Sequence, residues 1–277
     1  MSTLRAACIQ MRSTPEVETN IEAASALIGD AAGDGATFIA TPEMTNILDI
    51  RPGQARPKIR PESEDACLKA LCDLAGRLKV TLLIGSLAVA LPDDERFANR
   101  SFLIGPAGEI LARYDKIHMF DVEVGDGQAY RESRAYRAGR KAIVETTPVG
   151  RVGMSICYDV RFPHLYRSLA QAGADLITIP AAFTRVTGEA HWHVLVRARA
   201  IETGCFVLAP AQGGCHEDGR ETFGHSLIVS PWGEIIAEAK GDMPGYISAD
   251  LDLAQVQKAR TRIPSLHNDQ DISLIQG

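Results

Sequence analysis

"VGMSICYDVRFP", residues 152–163, changes character halfway. Its first half is small and apolar, and its second half is a charged turn. A short apolar run closed by a turn signal reads as a buried strand. Pro163 then suits the first turn of a helix, where the missing N–H costs nothing. The next apolar run, "DLITIPAAF" (175–183), is another strand. A strand, a helix and a strand in this order argue for an α/β fold.

The same alternation runs outward in both directions. "LRAACIQM" (4–11) reads as a strand. "TPEVETNIEAASALIGDAA" (14–32) predicts a helix with Thr14 as N-cap, Pro15 at its first position and a stripe of Ile21, Ala24, Leu27, Ile28 and Ala31. "ATFIATPE" is a strand ending near Glu43. "SEDACLKALCDLAGRLK" predicts a helix capped by Ser63, with Leu68, Leu71, Cys72 and Ala75 on its core face. "VTLLIGSLAVAL" is a long buried strand, and residues 100–116 read as a hairpin turning at Gly105–Gly108. Toward the C-terminus come a helix over 188–204 with Gly204 as C-cap, the strand "CFVLAPAQ", a hairpin turning at 231–233, the strand "YISADLDL" and a short helix "LAQVQKARTRI". Strands that alternate with helices and also form hairpins imply mixed sheets covered by helices. The polar, proline-rich stretch 49–65 reads as a loop, since the alternation continues on both sides, so residues 1–277 read as one domain.

The chain has 277 residues, a formal net charge of −6 and a sequence pI near 5.7, which gives no electrostatic footprint for nucleic acid or an anionic membrane. No apolar run reaches membrane-spanning length, and "MSTLRAACIQM" has no signal-peptide core. Several of the six cysteines, Cys8, Cys67, Cys72, Cys157, Cys205 and Cys215, lie in apolar runs, where a reduced thiol packs as a small hydrophobe. A reducing cytoplasm is the expected compartment. "HWH" (191–193) and "CHEDGRETFGH" (215–225) do not match zinc-site spacings, and on a helix the two imidazoles of "HWH" point apart.

Glu43, Lys116 and Cys157 each close an apolar strand just before a turn. Ligands of α/β sheets bind beyond such strand ends. A thiol attacks carbonyl carbon well only as thiolate, a carboxylate in reach takes its proton, and an ammonium steadies the oxyanion. The backbone N–H of Tyr158 sits where it can donate a second hydrogen bond to that oxyanion. Singly, each residue also has an ordinary reading as a packed thiol, a solvated carboxylate or a surface turn. Spacing alone does not join them.

"TPEM", "YDKIHMF" and "CYDVRFP" together resemble the three motifs of the nitrilase, or carbon–nitrogen hydrolase, superfamily. The likeness extends to "RESRAYRAG", "AHWHVLVRARAIE" and "GHSLIVSPWGE", and is nearest to the branch of deaminated glutathione amidase and omega-amidase. It implies a four-layer αββα sandwich that pairs as a homodimer or higher homo-oligomer, and a single carbon–nitrogen hydrolase domain. It implies Glu43 as general base, Lys116 as oxyanion stabiliser, Cys157 as nucleophile and Glu132 as support for the lysine. The expected reaction splits the primary amide of a small linear substrate, bearing a 2-oxo or carboxylate group, into acid and ammonia through a thioester, with no cofactor and no metal. Alternatives are an N-carbamoyl-amino-acid hydrolase, a nitrilase, and a catalytically silent binding member of the fold. Arg185, in a loop that lines the pocket of related enzymes, is expected to bind substrate carboxylate, with a solvated loop arginine as the other reading. Phe183 is expected to wall the pocket, His118 and Asp159 to be structural, and Arg161 to brace the site from beneath. Three departures from the family pattern stand out: Thr41 before the proline, Met119 after "KIH", and "DVEVGDG" (121–127) without its usual proline.

Overall fold

The computed structural model describes residues 3–49, 51, 53–124 and 129–276. The second half of "DVEVGDG", residues 125–127, therefore lies outside the described residues. One sheet holds β1 (Thr3–Gln10), β2 (Phe38–Ala40), β3 (Thr81–Ala90), β4 (Phe97–Ile104) and β5 (Ile110–Asp115). Two short strands follow in the chain, β6 (Asp121–Glu123) and β7 (Ala129–Arg131), paired as a ribbon. The second sheet takes β8 (Ile143–Thr147), β9 (Gly150–Met154), β10 (Leu176–Thr178) and β11 (Phe206–Ala209). A second ribbon pairs β12 (Gly213–Cys215) with β13 (Glu221–Phe223). The remaining strands are β14 (Leu227–Val229), β15 (Ile235–Glu238) and β16 (Gly245–Asp252). The sheet orders are β16-β1-β2-β3-β4-β5 and β15-β14-β11-β10-β9-β8. In each, a parallel centre is flanked by antiparallel strands.

Side-chain alternation explains why these strands are apolar on both faces. Ala6, Cys8, Phe38, Ala40 and Leu83 join one core with Val152, Met154, Leu176, Phe206 and Leu208 of the other sheet. Their neighbours Ala7, Ile9, Ile39, Leu82 and Ile84 point the other way, into a core made with helices α1 (Val17–Gly33) and α2 (Ala66–Leu78). Successive residues of a strand face opposite sides, so a strand buried on both sides has no polar period. Helices α3 (Pro163–Gln171) and α4 (Arg185–Thr203) cover the second sheet, and α5 (Ala254–Arg262) follows β16. The result is the expected αββα sandwich. Each fully buried leucine or isoleucine in it stabilises the fold by about 1.5–3 kcal/mol.

Three helix starts differ from the sequence reading. Thr184 caps α4 by accepting from the Thr187 N–H, so that helix starts at Arg185 and not at 188, and Arg185 opens a helix and does not sit in a loop. The Thr14 hydroxyl accepts from the Glu16 N–H, and Asn20 reaches back to both backbone groups of Thr14. These bonds hold residues 14–16 outside the helix, which begins at Val17. Asp65, not Ser63, caps α2 by accepting from the Leu68 N–H at 2.7 Å. Ser63 sits instead in a 3₁₀ turn, Glu62–Glu64. β8 and the two ribbons carry no apolar period, and the sequence did not reveal them.

Gly85 fixes how closely the sheets approach at one end. A β-carbon there would lie 2.0 Å from the Thr41 carbonyl oxygen and 2.6 Å from Pro180 Cβ. Its N–H donates to the Thr41 hydroxyl, and β3 shifts register against β4 between Ile84 and Leu87. This bulge holds the turn that carries Glu43: the Met44 N–H donates to the Ser86 hydroxyl and the Thr45 N–H to the Ser86 carbonyl.

Candidate active site

Glu43 and Lys116 leave β2 and β5 of the first sheet, and Cys157 leaves β9 of the second, all at the same end of the sandwich. Glu43 and Cys157 each follow their strand by three residues, and Lys116 follows directly. The turn at Cys157 is strained. Its φ is +48°, a region a cysteine seldom adopts, and its N–H donates to the Pro180 carbonyl at 2.9 Å. Asp159 pins the turn from below. Its buried carboxylate accepts from the N–H groups of Ile156 and His118 and from the Tyr114 hydroxyl, and lies 2.7 Å from the His118 ring. Asp159 and His118 are thus structural, as their positions suggested.

The three side chains meet. Lys116 Nζ donates to Glu43 Oε1 at 2.8 Å and to both oxygens of Glu132 at 3.0 and 2.9 Å. The Cys157 thiol and Glu43 lie close enough for each to shift the other's hold on its proton. The Ala182 N–H donates to Glu43 Oε2 at 2.9 Å. Asn99 Nδ2 bridges Glu43 and Glu132, and Glu132 also accepts from the Phe120 N–H. Gln212 fixes the backbone beneath by donating to the Glu43 carbonyl at 2.9 Å.

Burial sets the protonation states. It would raise the carboxyl of Glu43, but Lys116, the neighbouring thiol and Arg220 outweigh it and hold the group below its ordinary value. Burial would strip the proton from Lys116, but Glu132, Glu43 and Cys157 hold it well above the ordinary amine value. Burial and the charge of Glu43 push the thiol of Cys157 well up, against the pull of Lys116. The resting arrangement is therefore carboxylate, ammonium and neutral thiol. A base poised beside the proton it must remove fits attack better than a standing thiolate.

These groups open into a cavity of about 460 Å³, a size suited to a small organic molecule. Tyr158, Phe183 and Phe120 form part of its wall. Arg161 stands behind the wall, stacked over the rings of Phe183 and Tyr158. The lining holds six cationic side chains against three acidic ones, so the cavity opposes the charge of the whole chain and favours an anion. Arg185 is absent from this lining. It is taken up by Glu221 at 2.9 Å and Asp242 at 3.1 Å. Arg220 is the arginine near the base. Its Nη2 donates to the Ala182 carbonyl at 2.7 Å, and its buried Nε has no hydrogen-bond partner among the described residues. Sequence reading missed Arg220, Asn99 and Gln212, which lie mid-strand or between elements with no motif to mark them.

The described residues include no helix long and apolar enough to cross a membrane. Comparison with known proteins gives one family model, the carbon–nitrogen hydrolases, matching residues 5–261. A deaminated glutathione amidase of Synechocystis is 42% identical over 95% of this chain and 97% of its own length. The NitFhit protein of C. elegans has a crystal structure that superposes with a TM-score of 0.89 at 34% identity, covering 98% of this chain and 66%, just under two thirds, of that one. A variant of an amidase from Nesterenkonia, solved with the acetamide moiety of fluoroacetamide added covalently at its active-site cysteine, superposes with a TM-score of 0.78 at 25% identity, covering 94% and 95%.

Proposed function

We propose, from the premise that this chain belongs to the carbon–nitrogen hydrolase family and is an amidohydrolase, that its substrate is a small linear amide carrying a carboxylate or 2-oxo acid group. Cys157, Glu43 and Lys116 do the chemistry. The observation that carries this reading is the cluster itself: a thiol beside Glu43, whose carboxylate accepts from a buried Lys116.

The amide carbon sits over the sulfur. Glu43 takes the thiol proton as the S–C bond forms, and the oxygen becomes an oxyanion held by Lys116 Nζ and the Tyr158 N–H. Glu43 returns the proton to the nitrogen as the C–N bond breaks, so ammonia leaves and a thioester remains. Glu43 next takes a proton from water as the water oxygen attacks. The C–S bond breaks, and the proton goes back to sulfur. Glu132 and Asn99 keep Lys116 charged and aimed. Arg220, which lines the cavity beside the base and has a buried, unpartnered Nε, receives the substrate carboxylate. Phe183 confines the chain between the two ends.

The chain acts as one domain over residues 1–277, with the family match at 5–261 in support. It works as a homodimer: Val194 and Ile201 of α4 and Trp232 are apolar and exposed, which suits a second copy. The cytoplasm is its compartment, where a free thiol nucleophile stays reduced.

The test is ammonia release from a panel of 2-oxoglutaramate, deaminated glutathione, neutral amides, N-carbamoyl amino acids and nitriles. The acidic amides turn over fastest, and Cys157→Ala abolishes turnover while leaving the melting curve in place. Preference for carbamoyl compounds or nitriles would move the substrate class and keep the triad. Turnover unchanged by Cys157→Ala would remove the mechanism.

A further inference from the structure

Far apart in sequence, His193 of α4, His225 before β14 and Glu238 at the end of β15 converge on one point. His193 Nε2 and His225 Nδ1 each lie 2.9 Å from Glu238 Oε1, and the three donor atoms all fall within 4.8 Å of one another. The geometry points to a divalent transition-metal site, of the zinc, nickel or copper class, ligated by His193, His225 and Glu238 with solvent completing the shell. This site is separate from the Glu43–Lys116–Cys157 cavity, whose lining includes none of the three.

Four observations carry it. The donor set is two imidazoles and a carboxylate, which matches borderline divalent ions. A tetrahedral ion with bonds near 2.0 Å sets its ligand atoms about 3.3 Å apart, so the histidine–glutamate separations need to open by less than about 0.5 Å. The side chains are 33, 26 and 32% exposed, which lets an aquated ion enter and keep water.

The fourth observation is backbone strain. Met44, Lys79, Cys157 and His225 are the non-glycine residues with positive φ among the described residues. Lys79 ends α2, and Met44 and Cys157 belong to the catalytic turns. That leaves His225, at φ +53°, with no role in a helix cap or in catalysis. Its carbonyl accepts from Trp192 Nε1 at 2.8 Å and its N–H donates to the Gly241 carbonyl. Its ring stacks on Phe223 at 4.3 Å, and His193 meets both rings edge-on. The imidazoles are thus held in place before any ion arrives. A bound ion would tie α4 to the β14–β15 hairpin.

The experiment uses the full chain, stripped of metal and carrying Cys157→Ala and Cys215→Ala to remove competing thiols. Zn²⁺ alone is titrated by calorimetry, and Co²⁺ alone by its visible absorption. One equivalent binds with a Kd below about 10 µM and raises the melting temperature. His193→Ala and Glu238→Gln each weaken binding by about tenfold or more. His225→Asn keeps the left-handed backbone and does the same. No stoichiometric binding, or binding that ignores all three substitutions, would overturn the assignment and leave a hydrogen-bonded His–Glu–His cluster.

Discussion

Strands β4 and β5 carry two ion networks one residue apart. Asn99 and Lys116 face inward, where Lys116 and Glu43 are 2 and 5% exposed and meet at 2.8 Å. Arg100 and Asp115, their neighbours, pair at 2.6 Å on the open side and join Glu62 and Arg113. Contact lengths are nearly the same, and the surroundings are not. On the outer side Arg100, Glu62 and Asp115 keep 18, 24 and 28% of their side chains in water, which screens the charges in part and lowers what each pair adds to stability. On the inner side every charge has lost its water, and only the partners around it compensate. The difference teaches that salt bridges of one length serve opposite ends. The outer network trims the surface. The inner one holds an ammonium and a carboxylate, at a cost to stability, where a reacting carbonyl will need them.

Replacing Lys116 breaks the comparison most sharply. Lys116→Met leaves Glu43 and Glu132 buried without their cation, which lowers stability by about 3–5 kcal/mol in denaturant melts. Ammonia release falls by about 10³-fold or more with it. A variant as stable and active as the parent would erase the distinction between the two sides.

Glu43→Gln keeps the shape and removes the base. Turnover falls by about 10²–10⁴-fold, with a smaller change in melting than Lys116→Met. The pH dependence follows from the signs. Glu43 lies below its ordinary 4.5, so its share of stability is complete above pH 4.5 and is lost as pH falls through its folded value. Lys116 lies above its ordinary 10.5, so its share is complete below pH 10.5 and is lost as pH rises through its folded value. With the thiol also above its ordinary 9.0, kcat/KM of the parent enzyme is flat from about pH 4.5 to 9 in a rate profile. A limb near pH 7 would show that another group controls the step.

The cavity wall offers a finer cut. Arg220→Ala raises KM for acidic amides by about 10–100-fold, and affects neutral amides far less, through the weaker hold on Glu43 alone. Arg185→Ala, made in the outward pair with Glu221 and Asp242, changes neither. The smallest effect belongs to the open side. Arg100→Ala shifts stability by about 1 kcal/mol or less and turnover by less than about twofold.

Much of this was visible in the chain, for a physical reason. A sheet buried on both faces writes itself as apolar runs, and catalytic groups at strand ends interrupt those runs at Glu43, Lys116 and Cys157. Their partnership was legible only through resemblance, because residues 43, 116 and 157 meet through tertiary packing. Asn99 looks like any polar residue in a strand, and only the neighbour across the sheet gives it meaning. Arg185 looked the better placed arginine in the sequence and Arg220 carried no mark; the carboxylates at 221 and 242 take Arg185 away from the cavity. His193 and His225 match no metal-site spacing, since β15 supplies their third partner. The start of α1 moved because Asn20 folds back on Thr14, a local bond that competes with helix geometry, and the start of α2 moved because Asp65 and not Ser63 accepts from the first turn.

Gly85 carries a last consequence. With the Thr41 carbonyl oxygen 2.0 Å and Pro180 Cβ 2.6 Å from where a side chain would begin, Gly85 lets β3 sit tight against both the turn that carries the base and the proline that holds the Cys157 N–H. Such a fit has no adjustable part. Selection for new substrates in this protein will therefore work on the walls of the chamber and leave the reach from carboxylate to sulfur untouched, and even an alanine at position 85 will misalign the chemistry more than many bolder changes around the mouth.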